Sequence, residues 1–304
     1  SLLYTDGKLY LGGQFSSVGG STARGLAAVN PILAVPLTFA PNVRGGSKGP
    51  AALALGGDTL YLGGDFTQVG GVSRYRLAAV NASDGTLLDW NPAPNRDVKS
   101  LSLVGDRLYV GGEFTQITGV TLKYLAAFEV PSLTLMPLDA ALSQSSSSVE
   151  AVNPTDTVVY VGGYFDGIGG EYRQNVAALG PWTVGAFEWD PATYTYPPLA
   201  IGLSDSLICL GGSFPLVGKA PDYSAVGYLA VYNRGAGFTT NSYVDGKLAM
   251  ETTTGDRTIA ILQSSSDFTT WSNVATNDNP GYRWSIEQPI EATAGARVFR
   301  VWTE

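Results

Sequence analysis

Leu60-Tyr61-Leu62-Gly63-Gly64-Asp65-Phe66-Thr67-Gln68-Val69-Gly70-Gly71 decides the fold, because the chain writes this phrase five times. Variants start at Leu9 (LYLGGQFSSVGG), Leu108 (LYVGGEFTQITG), Val159 (VYVGGYFDGIGG) and Ile208 (ICLGGSFPLVGK). Their phenylalanines, Phe15, Phe66, Phe114, Phe165 and Phe214, recur at roughly 50 residues, a period typical of solenoids, propellers and arrays. A second phrase follows each first one: Gly25–Asn30, Arg76–Asn81, Tyr124–Glu129, Asn175–Gly180 and Tyr228–Asn233, all built on Leu/Val-Ala-Ala/Val. A third element is an aromatic followed two residues later by proline, as in Phe39/Pro41, Trp90/Pro92 and Trp189/Pro191, with Leu138 replacing the aromatic in the third period.

Each period holds four short apolar segments, which in the third are Val98–Val104, Arg107–Phe114, Tyr124–Val130 and Leu133–Leu138. Turn signals such as Gly105-Asp106 and Asp84-Gly85 separate them. They are too short for independent helices and rich in strand-favouring residues. Leu-Ala-Ala-Val is apolar without alternation, which fits a strand buried on both faces. Four strands at this period match a β-propeller blade. A lone four-stranded sheet cannot bury its own two faces, whereas radial packing against neighbours buries both. The sequence therefore predicts an all-β chain: a five-bladed β-propeller of four-stranded antiparallel blades over 1–240, then a small C-terminal β domain over 241–304. The Gly-Gly pair is read as a bulge where backbones crowd, since a phosphate cradle would need a helix N-terminus after it.

These phrases resemble the delta-60 type of bacterial β-propeller repeat: a strand, Gly-Gly-x-Phe, a Val-Gly-Gly turn, a Leu-Ala-x-Leu/Val-Asn strand and an Asp-Gly turn. The resemblance covers about residues 1–240. It is closest from Leu60 through Gly85 and weakest in the fifth period, where Lys219 replaces a glycine and residues 220–226 are inserted. Kelch repeats share the Gly-Gly, but the Phe and second Gly-Gly favour the delta-60 type. The resemblance implies a large secreted or surface protein with no common catalytic residues. In the tail, Lys247–Thr253, Arg257–Ser266, Thr270–Ala275, Arg283–Ile290 and Arg297–Thr303 read as five short strands. The Leu262–Trp271 stretch with Val298–Trp302 is similar to a small β-sandwich module ending many secreted bacterial proteins; a divergent extra blade is the rival reading. The chain opens at Ser1 with only the end of a first strand, so either the ring closes on a short strand or upstream sequence is missing.

The 304 residues contain 38 Gly, 17 Pro, one Cys and no His, with 18 basic against 26 acidic side chains and a net charge of −8. Without histidine there is no Ser-His-Asp triad and no His-ligated metal. One cysteine permits no intrachain disulfide or thiolate cluster. An acidic surface repels nucleic acid, and no apolar run is long enough for a membrane helix. No cofactor or metal is expected. Asn81/Asp84, Asp89/Asn91 and Asp190 could ligate Ca²⁺ through oxygen donors, but they lack EF-hand spacing and equally suit turn capping.

The residue between Gly-Gly and Phe changes in every period: Gln14, Asp65, Glu113, Tyr164 and Ser213. One variable position on a constant scaffold is how a repeat protein varies a binding face, so these five are the candidate ligand-binding residues. Asp65 and Glu113 are the one acidic pair among them, open to readings as turn caps, ligand contacts or glycosidase carboxylates. Tyr164, Tyr172, Tyr194 and Tyr196 suit sugar or protein contacts. Cys209 is expected as a buried small apolar residue, and Ser143–Ser148 as a polar loop. The function expected is a non-enzymatic extracellular or cell-surface module, structural or binding, in a surface protein, appendage or virion fibre. Its partners would be proteins, its own copies, or glycans. A lectin or a carboxylate-dependent glycoside hydrolase is the alternative.

Overall fold

The computed structural model describes residues 1–304 except 40, 137, 139, 141, 144–146, 182–184, 188, 190, 192, 195, 205–206, 215, 218–223, 226–228, 234–239, 245–246, 253–259, 266–271, 278–283, 290–297 and 304. The side chain of Tyr194 lies outside this description, and beyond Phe214 side chains are described only at Leu229 and Ala230. Among the described residues every regular element is a β-strand. Two compact units result, Ser1–Asp190 and Pro191–Glu304.

The first unit contains four copies of one antiparallel sheet. Its first, second and third strands are Leu2–Thr5, Lys8–Gly12 and Leu26–Asn30 in the first repeat, and Pro50–Gly56, Thr59–Gly64 and Leu77–Asn81 in the second. They are Val98–Val104, Arg107–Gly112 and Leu125–Glu129 in the third, and Ser148–Pro154, Val159–Tyr164 and Val176–Leu179 in the fourth. Val35–Pro36 and Thr134–Met136 supply fourth strands; in the second and fourth repeats single bridges, Val80 to Leu87 and Leu179 to Ala186, take that place. First strands of successive repeats pack on one another, so the sheets stand face to face with their first strands on a shared side.

The apolar pattern follows from this packing. In the second repeat Leu60, Leu62, Ala78 and Val80 face the first repeat, joining Tyr10, Leu26, Ala28 and Phe39. Their alternates Tyr61, Leu77 and Ala79 face the third, joining Val98, Leu108, Val110 and Phe128. The third and fourth repeats share an equivalent core around Tyr109, Leu125, Val149 and Val161. Both sides of one strand are thus buried, each large side chain contributing about 1.5–3 kcal/mol. The recurrent Phe enters the core shared with the preceding repeat: Phe66, Phe114 and Phe165 are fully buried there. The aromatic-x-Pro element packs edge-on against its own repeat's tyrosine: Phe39 on Tyr10, Trp90 on Tyr61, Trp189 on Tyr160. Trp90 also meets Phe128 of the next repeat, and the Tyr10 hydroxyl donates to the Ala82 carbonyl at 2.7 Å.

The two glycines have separate reasons. A Cβ on the first, Gly63 or Gly111, would strike a valine at the start of the next repeat's first strand, Val98 or Val149, the first or second residue of that strand. A Cβ on the second, Gly64, Gly112 or Gly163, would land on the carbonyl oxygen of Gly49, Asp97 or Ser148 at the entry to the same sheet's first strand. There the first strand bulges opposite the pair, at Pro50/Ala52, Val98/Ser100 and Val149/Ala151. The bulge expected from sequence is present, on the neighbouring strand.

Between second and third strands each repeat adds a small hairpin: Ser17–Val18 with Ser21–Thr22, Gln68–Val69 with Val72–Ser73, Gln116–Ile117 with Val120–Thr121, and Gly167–Ile168 with Glu171–Tyr172. The connector from the previous repeat joins it, as Val43–Arg44 pairs with Gln68–Val69 and Ser143 bridges Gly167.

The second unit has a sheet of Pro198–Leu203, Leu207–Gly212 and Leu229–Asn233, a small sheet of Thr193–Tyr194, Leu216–Val217 and Ser224–Ala225, and two three-stranded sheets from the tail. One orders Thr240–Val244, Lys247–Thr252 and Trp284–Pro289; the other orders Ser272–Asn277, Ala260–Ser265 and Val298–Thr303. Strands occur in all five tail segments marked in the sequence.

Candidate functional site

Connectors, small hairpins and the ends of second strands meet on one side of the first unit, where its variable positions Gln14, Asp65, Glu113 and Tyr164 also lie. A polar cleft of about 520 Å³ opens there between the third and fourth repeats. It is lined by Arg96, Glu113, Thr115, Tyr124, Ser147, Ser148, Glu150 and Tyr164. Two of the five candidate positions, Glu113 and Tyr164, are therefore brought together.

Lys99 organises the cleft's charges. It occupies the bulge of the third repeat's first strand, and its ammonium lies 2.7 Å from Glu113 Oε1 and 3.9 Å from Asp97 Oδ2. Burial alone would lower its pKa, but the hydrogen bond and charge of Glu113, with the charge of Glu150, hold it above the ordinary lysine value. Arg76 Nε lies 3.8 Å from Asp97 Oδ1 and extends the network. Glu150, at the equivalent bulge of the fourth repeat, accepts from Ser148 Oγ at 2.7 Å. Arg76, Arg96 and Lys99, with Lys48 beside Lys99, thus stand with the carboxylates of Asp97, Glu113 and Glu150.

Asp65 does something else. Its carboxylate accepts from the amides of Lys48 (3.0 Å) and Gly49 (2.8 Å) and from the amide and hydroxyl of Ser47. Burial pushes its pKa up, but these hydrogen bonds outweigh that and hold it below the ordinary carboxylate value. Gln14 is exposed in the first repeat, and Ser213 is exposed in the second unit.

Tyr124, Arg76 and Asn175 share a positive φ just before the third strand, with Gly25 in the same slot. In each repeat this residue's N–H donates to the Phe carbonyl and its own carbonyl accepts from the second glycine of the pair. The left-handed turn at Tyr124 therefore belongs to the scaffold rather than to the cleft.

Residues 5–31 and 58–87 match a family model described as a domain of unknown function (DUF5122) beta-propeller. The chain carries β-propeller repeats. No curated protein matches it. Solved structures similar to it include the computationally designed Ika4 protein, at 14% identity and TM-score 0.40 over 64% of this chain and 96% of that one. The extracellular domain of the hybrid two component system BT4673 from B. thetaiotaomicron matches at 16% identity and TM-score 0.44, over 86% of this chain and 33% of that one. A glycoside hydrolase matches at 10% identity and TM-score 0.33, over 100% and 93%.

The remaining candidates fall out as follows on the propeller repeats. Asn81 accepts from the Ser83 amide and hydroxyl at 2.8 and 2.6 Å, and Asp84 from the Thr86 amide at 2.8 Å, so both cap turns. Asp89 lies 3.4 Å from Arg74, and Asp190 lies outside the described residues. Among the described residues no group of three His, Cys, Asp or Glu could hold a metal. Tyr172 and Tyr196 are exposed. Cys209 is half-buried rather than buried, because its cross-strand neighbour Gly202 offers no side chain to cover it; burial still raises its thiol pKa. Ser147 and Ser148, expected in a polar loop, are buried in the cleft wall. Among the described residues no helix is long and apolar enough to cross a membrane.

Sequence reading missed Arg96, Lys99, Tyr124 and Glu150. The signal was available: aligned on their bulges, the repeats place Ala51, Lys99, Glu150 and Leu199 in one slot, as variable as the Gly-Gly-x-Phe position.

Proposed function

We propose that the chain is a non-enzymatic extracellular binding and structural module. In this reading residues 1–240 form a five-bladed propeller of the delta-60 type, and 241–304 form a small β-sandwich-like domain. Its partners are proteins or its own copies in a surface assembly, with ligand recognition at the cleft between the third and fourth blades. One observation carries it: the acidic pair at equivalent repeat positions is divided, Asp65 holding backbone amides and Glu113 holding Lys99.

A second reading, a carboxylate-dependent glycoside hydrolase, is favoured by Glu113 and Glu150 lining one cleft. Such chemistry asks for one carboxyl kept protonated by an apolar setting. Glu113 sits on an ammonium and Glu150 on a hydroxyl. The test is incubation with a panel of 4-nitrophenyl glycosides, beside antibody labelling of intact source cells. No nitrophenol release and surface labelling are expected. Release abolished by Glu113→Gln or Glu150→Gln, or labelling only after permeabilisation, contradicts the module.

A further inference from the structure

The cleft between the third and fourth repeats has a composition that narrows its ligand. Its size falls within the range of small-molecule sites, roughly 300–1,000 Å³. Its wall is polar, made of two serines, a threonine, two carboxylates, an arginine and two tyrosines. The lining sets Arg96 against Glu113 and Glu150, and the Lys99 ammonium behind them acts on both carboxylates, so the charges are paired and no field favours a phosphate or an ammonium ligand.

Hydrogen-bonding capacity is what remains. Glu113 uses Oε1 on Lys99, and Glu150 uses Oε1 on Ser148. Each carboxylate keeps a second oxygen that has no partner among the described residues. Carboxylate oxygens accept from hydroxyl groups in charge-assisted bonds. Arg96 is exposed and supplies donors. Tyr164 lines the cleft while 39% exposed, offering an aromatic surface to a ligand's C–H groups. Acceptors for hydroxyls, a donor fork for ring oxygens and an aromatic platform, with the carboxylates paired to a cation or a hydroxyl, are the complement of a neutral polyhydroxylated molecule.

We infer that this cleft binds a short neutral oligosaccharide, held by hydroxyl donation to Glu113 and Glu150 and by packing on Tyr164. The inference rests on the module reading and names its ligand. Neutral sugars bind the intact chain; acidic and cationic ones do not compete.

The test is a glycan array of neutral, sialylated, sulfated and amino-sugar glycans probed with the full chain. Calorimetric titration of the best neutral glycan follows, with mass spectrometry of the recovered sugar. Binding to neutral glycans is expected, weakened at least about tenfold by Tyr164→Ala or Arg96→Ala, equivalent to about 1.4 kcal/mol. Both side chains are solvent-accessible, so unchanged thermal unfolding separates lost contact from lost fold. Three outcomes overturn the inference: no neutral glycan bound at roughly 10 mM, binding confined to charged glycans, or affinity indifferent to both substitutions. Recovery of the bound glycan in cleaved form would instead overturn the non-enzymatic module and leave the ligand class standing.

Discussion

Asp65 and Glu113 occupy the same slot in adjacent repeats and do opposite work. In the second repeat the connector is Gly45-Gly46-Ser47-Lys48-Gly49, and it wraps its amides around Asp65. Gly46 has φ +72, and a Cβ there would strike the carboxylate, so this connector is fitted to the acid it surrounds. In the third repeat the lock runs in the other direction. Asn95 in the connector accepts from the amides of Thr115 (2.8 Å) and Gln116 (3.1 Å) where the chain enters the small hairpin. With Asn95 joining connector to hairpin, Glu113 is released to meet Lys99 and the cleft. A repeat slot becomes available for ligand contact once another residue takes over its structural task.

The largest expected effect tests what the two repeats share. Gly64→Ala and Gly112→Ala each push a methyl onto a connector carbonyl, and each should destabilise by about 3 kcal/mol. Denaturant midpoints should fall similarly; a tolerated alanine at either site would break the equivalence. Next comes the division itself. Asp65→Ala strands three connector amides and should cost about 2 kcal/mol, while Glu113→Gln should cost under about 1 kcal/mol, as for part-exposed ion pairs. Hydrogen exchange at 47–49 should quicken in the first variant and stay unchanged in the second. Asn95→Ala should cost about 1 kcal/mol and speed exchange at Thr115 and Gln116; no change there would leave Glu113 without its substitute.

The smallest effect is in pH. The Asp65 carboxyl lies below its ordinary value in the fold. Its stabilisation is therefore complete above the unfolded value of about 3.9 and fades as acid lowers the pH through the folded value. The stability gap between the native chain and Asp65→Asn should be constant from neutrality to about pH 5 and shrink below about pH 4. A gap that widens in acid would contradict the assignment.

Strands and blade cores were legible because the apolar code is repeated and local: Leu-Ala-Ala-Val reads as buried on both faces, and Leu77 and Ala78 do face opposite neighbours. The small hairpins were hidden inside what reads as a Val-Gly-Gly turn, since Gln68–Val69 and Val72–Ser73 are each too short to carry a periodicity. Glu113 and Tyr164 were visible as variation against a constant frame. Lys99 and Glu150 were not, because a bulge shifts register by one residue and moves them out of the alternation a strand is read by. The hydrogen bonds that occupy Asp65 come from a connector 16 to 18 residues away, beyond any local pattern.

The proposed radial arrangement of the repeats is tested most directly by an experimental structure of the intact chain at side-chain resolution. The account predicts five sheets turned about one axis, first strands innermost and the Gly-Gly-x-Phe slots on a common face. Sheets stacked along a line, with Phe66, Phe114 and Phe165 translated rather than rotated, would contradict it.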